Sequence, residues 1–248
     1  MNVTIWNENV HERTEDAVRS IYPDGIHGAL AAALADLGTV RTATLEQPEH
    51  GLPPEVLEST DVLTWWGHAK HAEVDNRVVD RVHQRVLGGM GLLVLHSGHF
   101  SKIFTRLMGT TCSLAWRNSG DTELVWTVAP SHPIANDVPH PIVISEHEMY
   151  GEYFDIPAPD ELVFLSTFSG GEVFRSGCCW RRGRGKVFYF SPGDQEYPIY
   201  SHPDIRRVLA NAVQWARPEV ETDFTPPRVQ ASPPPRLAGR LVAEEQAQ

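Results

Sequence analysis

Residues 92–99, LLVLHSGH, decide how this 248-residue chain is read. Four consecutive apolar residues, too few for a helix of their own, run into a polar turn holding two histidines, a serine and a glycine. An unbroken apolar run of this length is what a strand buried on both faces looks like, as in a parallel sheet covered by helices. Gly88, Gly89 and Gly91 break the chain just before it, and the helix they end, over residues 75–87, carries Val78, Val79, Val82 and Val86 along one face.

The same rhythm extends toward the N-terminus. DVLTWW (61–66) is another apolar run ending at Gly67-His68; VTIW (3–6) opens into Asn7, Glu8 and Asn9; residues 40–45 alternate as a further strand. Between them, residues 24–37 have helical spacing that stops at Gly38, and the turn-rich link 48–54 leads to a short helix at 55–59. Four strands interleaved with helices in the first 108 residues predict a doubly wound parallel sheet, because right-handed crossovers place helices on both faces.

Beyond Gly109, TELVWTV, PIVISEHEMY and ELVFLSTF predict strands joined by short loops. EVFRSGCCWRRGRGKVFYFSP predicts a hairpin turning at 181–185, whose second strand can return to the main sheet. Residues 203–216 have the pattern of an amphipathic helix, closed by Pro218. The expectation is an α/β protein: a doubly wound, mostly parallel sheet with a mixed β extension, one domain over 1–218, and an extended or disordered proline-rich tail over 219–248.

Composition removes several classes of function. A net charge of -11 repels phosphate backbones and anionic bilayers, so neither nucleic acid nor membrane is an expected partner. The first residues lack a basic segment followed by an apolar one, and nowhere do 18 apolar residues run together, which places the expected location in the cytoplasm. Three cysteines without framework spacing read as reduced thiols. There is no GxxxxGK[ST], no GxGxxG after the first strand and no GxSxG, which counts against nucleotide hydrolysis, dinucleotide binding and a serine-hydrolase elbow.

Twelve histidines remain as the main chemical clue. Ligands of open parallel sheets bind beyond the C-terminal strand ends. That rule gathers Asn7, Glu8 and His11 after the first strand, Trp66 and His68 after the third, and His96 and His99 after the fourth, with His27 at the start of the first helix. His27, His68 and His96 with a water would complete a zinc site; the same imidazoles would also transfer protons near neutral pH, and the residues leave both readings open. EHEMYGE (146–152) is a second polar cluster, in which alternation puts Glu146, Glu148 and Tyr150 on one face. Each member also has a plainer reading, as a solvated strand edge or a histidine bonded to a loop carbonyl.

WNE, IYPDGIHGAL, DVLTWWGHAKH, GLLVLHSGHFSKIF, LMGTTC, SHPI, EMYGEYFDIP, GEVFRSG and KVFYFSPG, in this order over residues 3–218, together resemble the trehalose-utilisation (ThuA) family. The resemblance implies the flavodoxin-like fold of the class I glutamine amidotransferase-like superfamily. His96 stands where those amidotransferases carry their cysteine nucleophile, so amidotransferase activity is not carried over. The family's strand-ending His, HPI segment and Glu-x-Tyr match His96, His132-Pro133-Ile134 and Glu148-Met149-Tyr150, which makes His96, His132, Glu148 and Tyr150 the expected catalytic residues and His96 the expected base. Where the family often has Gly-His after its last strand, this chain has Gly193-Asp194. The resemblance further implies a sugar substrate related to trehalose or its 3-keto derivatives and an oxidoreductase acting in the same route; a homo-oligomer is expected beside these. The competing class is a non-catalytic sugar-binding or regulatory protein on the same fold.

Overall fold

The computed structural model describes residues 1–219. One nine-stranded sheet runs through them in the order β2-β1-β3-β4-β9-β8-β7-β5-β6. Strands β1 (Asn2–Asn7), β2 (Thr39–Thr44), β3 (Val62–Trp66), β4 (Gly91–Leu95) and β9 (Gly185–Phe190) are mutually parallel. Strands β5 (Ala115–Thr127), β6 (Ile142–Gly151), β7 (Glu161–Phe168) and β8 (Val173–Arg182) form the antiparallel extension, and β9 joins the two halves by pairing with β4 on one side and β8 on the other. The order of the parallel half is consistent with a flavodoxin-like arrangement.

The apolar run of β4 is split between two cores by its pleat. Leu92 and Val94 face one layer with Trp6 and Trp65, covered by α4 (Pro54–Glu58), α5 (Asn76–Gly88) and α6 (Lys102–Met108). Leu93 and Leu95 face the other with Ile5 and Phe188, covered by α3 (Gly25–Leu34) and α7 (Pro203–Ala216). Each fully buried Leu or Val contributes about 1.5–3 kcal/mol relative to exposure, which is why the strand after Gly91 can consist of nothing else. Helix α5 begins at Asp75, whose side chain accepts from Arg77 N–H, and buries the four valines expected.

Boundaries shift where local geometry intervenes. The expected helix over 24–37 is α-helical only to Leu34 and tightens into a 3₁₀ turn at Ala35–Leu37. Residues 11–21, for which the sequence predicts no element, fold as two short helices, α1 (His11–Thr14) and α2 (Asp16–Ile21). The tail expected from residue 219 onward lies outside the described residues, except Glu219 itself, which pairs with Lys186 at 2.7 Å.

Candidate functional site

The elbow after β4 sets the site. Residues His96–Phe100 form a 3₁₀ turn, and His96 itself takes the left-handed conformation, with φ +48°. For a side chain other than glycine this costs on the order of 1–3 kcal/mol, so the turn must be held from outside. Gly98 is there for room: a Cβ would sit 3.1 Å from both the Trp65 carbonyl and a Val94 methyl. Ser97 fixes the turn by donating to the Gly67 carbonyl at 2.9 Å. The imidazole of His96, fully buried, is thereby aimed across the C-terminal edge of the sheet.

Two other strands bring side chains to it there. Strand β6, last in hydrogen-bonding order, comes back against β8 and brings in Glu148 and Tyr150. Glu148 Oε2 lies 3.0 Å from His96 Nε2, and the Tyr150 hydroxyl 3.2 Å from the same nitrogen. The Tyr150 ring stacks on the imidazole with centroids 4.7 Å apart and planes 6° from parallel. The loop after β9 contributes Asp194, with Oδ2 3.3 Å from Nε2. Gly193, one residue earlier, has no space for a side chain, since a Cβ would meet the Tyr200 hydroxyl at 2.2 Å and crowd His96 Cβ at 3.1 Å. On its far side the imidazole Nδ1 faces the Ser191 carbonyl at 2.8 Å.

Behind these contacts stands a second buried pair. His147 Nε2 accepts from the backbone N–H groups of Gly193 and Asp194 at 3.1 and 3.2 Å, which requires its proton on Nδ1. That nitrogen lies 2.7 Å from Glu123 Oε2, and Ser166 donates to the other Glu123 oxygen at 2.5 Å. Trp66 adds a brace, its indole N–H donating to the Gly193 carbonyl at 2.9 Å. Asp194 is thus held by groups from β3, β5 and β6.

Electrostatics follow from the packing. Burial alone drives the His96 pKa down, but the Asp194 and Glu148 carboxylates outweigh it and hold the imidazolium up at about 10. Asp194 moves the opposite way: burial raises its carboxyl, and the facing imidazolium pulls it below the usual range. Tyr150 is pushed well above 10 by burial and then by the Glu148 charge, so it is a neutral phenol. His68 is lowered by burial and next by the His96 charge.

Of the residues expected at the site, His96, Glu148 and Tyr150 meet. His68 and His11 lie at its rim, in contact with each other through Nδ1 and Nε2 at 2.7 Å. His99 is buried beneath Tyr150 with Nδ1 on the Cys112 carbonyl, so it supports the phenol rather than facing solvent. Glu8 is spent on the loop after β3, accepting from Ala69 and Lys70 N–H at 2.7 and 3.0 Å. Asn7, fully buried, ties together Glu12, His27 and the Asn9 amide. Trp66 is likewise fully buried and presents no face for a sugar. His27 points to Asn7, so the trio His27, His68 and His96 does not form. His132 lies at the opposite, N-terminal end of β9, where its Nδ1 accepts from Ile134 N–H and its ring packs near Trp215. Glu146 is exposed because an extra residue in β6 between the partners of Asp121 and Glu123 breaks the alternation and turns His147 inward instead.

Asp194, His147 and Glu123 were missed. Extending the strand-end rule to KVFYFSPGD would have found Asp194, since β9 is parallel to β4 and ends at the same edge. Nothing in the sequence marks the bulge that delivers His147.

Comparison with known proteins agrees with this architecture. The family model described as trehalose utilisation, ThuA, matches residues 2–216. No curated protein matches the chain. Among solved structures, a ThuA-like protein from Parabacteroides merdae superposes with a TM-score of 0.63 at 13% identity, over 90% of this chain and 93% of that one. A protein described as cytoplasmic, from Salmonella typhimurium, gives 0.61 at 12% identity over 88% and 100%. One described as a GMP synthase component, from Thermoplasma acidophilum, gives 0.50 at 10% identity over 86% and 92%, consistent with the amidotransferase-like fold. With its family model matched across the whole sheet and α7, this chain belongs to the ThuA family, whose role is trehalose utilisation.

Proposed function

We propose that the chain is an acid–base enzyme that moves protons on a trehalose-related disaccharide, in its 3-keto form, at the His96 cluster. The observation that carries this reading is one buried imidazole faced by two carboxylates and a neutral phenol. Such a set holds a proton donor and a proton acceptor side by side at neutral pH.

The chemistry suits a keto-sugar. The carbonyl at C3 acidifies the proton on C2; Glu148, the carboxylate with the more open side chain, takes it, and the His96 imidazolium gives a proton to the carbonyl oxygen. His96 acts here as acid rather than as the base expected from sequence, because a group held protonated to about pH 10 has no lone pair to offer. Tyr150 holds the oxygen. The resulting enediol either reprotonates at C3, giving the 2-keto isomer, or expels the glycosidic oxygen from C1 for water to replace, giving net hydrolysis.

A separate oxidoreductase would supply the keto group, since this chain carries no dinucleotide fingerprint. Free, buried cysteines suit a reducing cytoplasm. A homo-oligomer is supported by Trp116 and Val143, 64% and 54% exposed on the β5–β6 pair at the sheet's free edge.

Incubation with trehalose and with 3-keto-trehalose in D₂O, followed by NMR, tests the reading. Deuterium entering C2 of the keto-sugar, with isomer or monosaccharide appearing, is the expected result. Binding without exchange would replace the enzyme by a sugar-binding protein, and neither binding nor exchange would overturn the sugar site altogether. His96→Ala should abolish exchange while changing affinity far less.

A further inference from the structure

We propose that His96, Glu148 and Asp194 bind one divalent transition-metal ion, zinc foremost, and that this ion, seated among them, is what receives the oxygens of the sugar. The proposal keeps the sugar site of that reading, on which it rests for its substrate, but changes its acid: with an ion bound, His96 Nε2 carries no proton and the ion takes the place of the imidazolium facing the keto oxygen; ion binding can be tested without any sugar.

The first argument is convergence without alignment. One ligand atom from each of the three residues lies within 4.8 Å of the other two. His96 Nε2 faces Glu148 Oε2 and Asp194 Oδ2 at once, at 3.0 and 3.3 Å. Both oxygens are buried, on side chains no more than 7% exposed, and neither has a hydrogen-bond partner of acceptable geometry. A single N–H points along one line and cannot serve two oxygens well. An ion attracts from every direction. Ligands about 2.0–2.1 Å from a tetrahedral zinc lie roughly 3.3 Å from one another, close to the 3.0 and 3.3 Å that separate Nε2 from the two oxygens.

The second argument is the outer shell. The far nitrogen of His96 faces the Ser191 carbonyl at 2.8 Å, the arrangement that fixes a ligating histidine with its Nε2 lone pair toward the metal. The far oxygen of Asp194 accepts from Glu196 N–H at 2.8 Å, leaving Oδ2 to face the site. Among the described residues no lysine or arginine pairs with Glu148 or Asp194, so in metal-free protein a single imidazole is all that faces their two negative charges.

The donor set selects the ion. An imidazole disfavours magnesium and calcium, and the absence of a thiolate from the set disfavours copper(I); nitrogen with two carboxylates suits zinc, manganese or iron(II). Adjacent keto and hydroxyl oxygens, as in a 3-keto sugar, would chelate an ion with open positions, and the ion would carry the charge that builds on the enediolate oxygen.

The test is uptake of zinc alone. Full-length protein is stripped with a chelator, dialysed and titrated with Zn²⁺ by calorimetry, with bound metal counted by mass spectrometry. One ion per chain is expected, and Asp194→Asn and Glu148→Gln should each weaken binding about a hundredfold or more while the circular dichroism stays that of the wild type. Should either variant fail to fold, anomalous diffraction at the zinc edge from wild-type crystals decides, with a peak expected between the three side chains. No stoichiometric uptake, uptake undiminished in both folded variants, or a peak elsewhere, for instance at the His11–His68 pair, overturns the proposal. Keto-sugar turnover that survives chelation in metal-free protein overturns it while leaving the sugar site standing; zinc bound at the cluster with no effect on any keto-sugar does the reverse.

Discussion

Replacing Asp194 by asparagine, in chelator-treated protein, removes one of the two charges that hold the His96 imidazolium and leaves the shape of the loop unchanged. With Oδ2 3.3 Å from Nε2, the bare attraction at an effective dielectric of about 20 is roughly 5 kcal/mol. Much of that repays the desolvation of the pair, and contacts to charged groups contribute a net of about 1.5–3 kcal/mol. At 1.36 kcal/mol per pKa unit, the His96 value should fall from about 10 by roughly 1–2 units. The stability consequence has a definite sign. A histidine whose folded pKa is raised contributes stability that is complete below its unfolded value of 6.5 and is lost as pH climbs through the folded value. Metal-free wild type should therefore lose stability between about pH 6.5 and 10, and Asp194→Asn should lose it over a narrower window that ends sooner. Imidazole ¹⁵N chemical shifts measured against pH for both proteins, alongside urea midpoints, test this directly. A His96 titration that does not move in the variant would refute the claim that Asp194 holds its proton.

Other perturbations probe the surrounding shell. His99 is held down at about 3 by burial, so below pH 6.5 the unfolded chain takes up a proton that the folded one refuses. Stability should fall toward pH 3 by about 1.4 kcal/mol per pH unit from this residue, and His99→Phe should flatten that acid limb of the urea-midpoint curve; an unchanged slope would count against it. Glu123→Leu keeps side-chain volume but leaves the Ser166 hydroxyl without a partner and takes away the carboxylate beside His147 Nδ1, the first loss alone costing about 1–3 kcal/mol in chemical denaturation. His132→Ala should leave keto-sugar exchange at the wild-type rate and cost about 1 kcal/mol, the worth of the N-cap it provides to Ile134; lost exchange would bring His132 back into the chemistry.

The parallel half of the fold was legible because its signals are local. DVLTWW and LLVLHSGH each announce a strand and its end, and helix α5 announces itself by four valines on one face. From those ends the placement of His96 and His68 followed. What sequence could not show was how charge is spent within the crevice. Asn7 and Glu8 stand at a strand end just as His96 does, yet their side chains are consumed in securing local loops. Trp66 is no sugar platform because the core packs over its ring and the Gly193 carbonyl, 127 positions away, takes its indole N–H. The antiparallel half was legible as strands but not in register, and one extra residue in β6 exchanged Glu146 for His147 at the interior. His132 was assigned by resemblance alone, and no strand-end argument placed it.

The construction of the site explains why one turn of a common fold can change its chemistry. At an elbow such as that of His96, the backbone fixes the direction in which the side chain leaves, whatever that side chain is. A thiol there would emerge among Glu148, Asp194 and Tyr150, and the two carboxylate charges together with burial would raise its pKa and suppress the thiolate that glutamine hydrolysis requires. An imidazole in the same place turns those carboxylates from an obstacle into partners. The substitution is therefore coupled to β6 and to the loop after β9: His96→Cys alone should yield a protein without glutaminase activity and with a thiol pKa above the ordinary value of about 8.5. Alkylation rates measured against pH would show this, and a thiol that reacts rapidly at neutral pH would mean that the carboxylates do not govern the elbow.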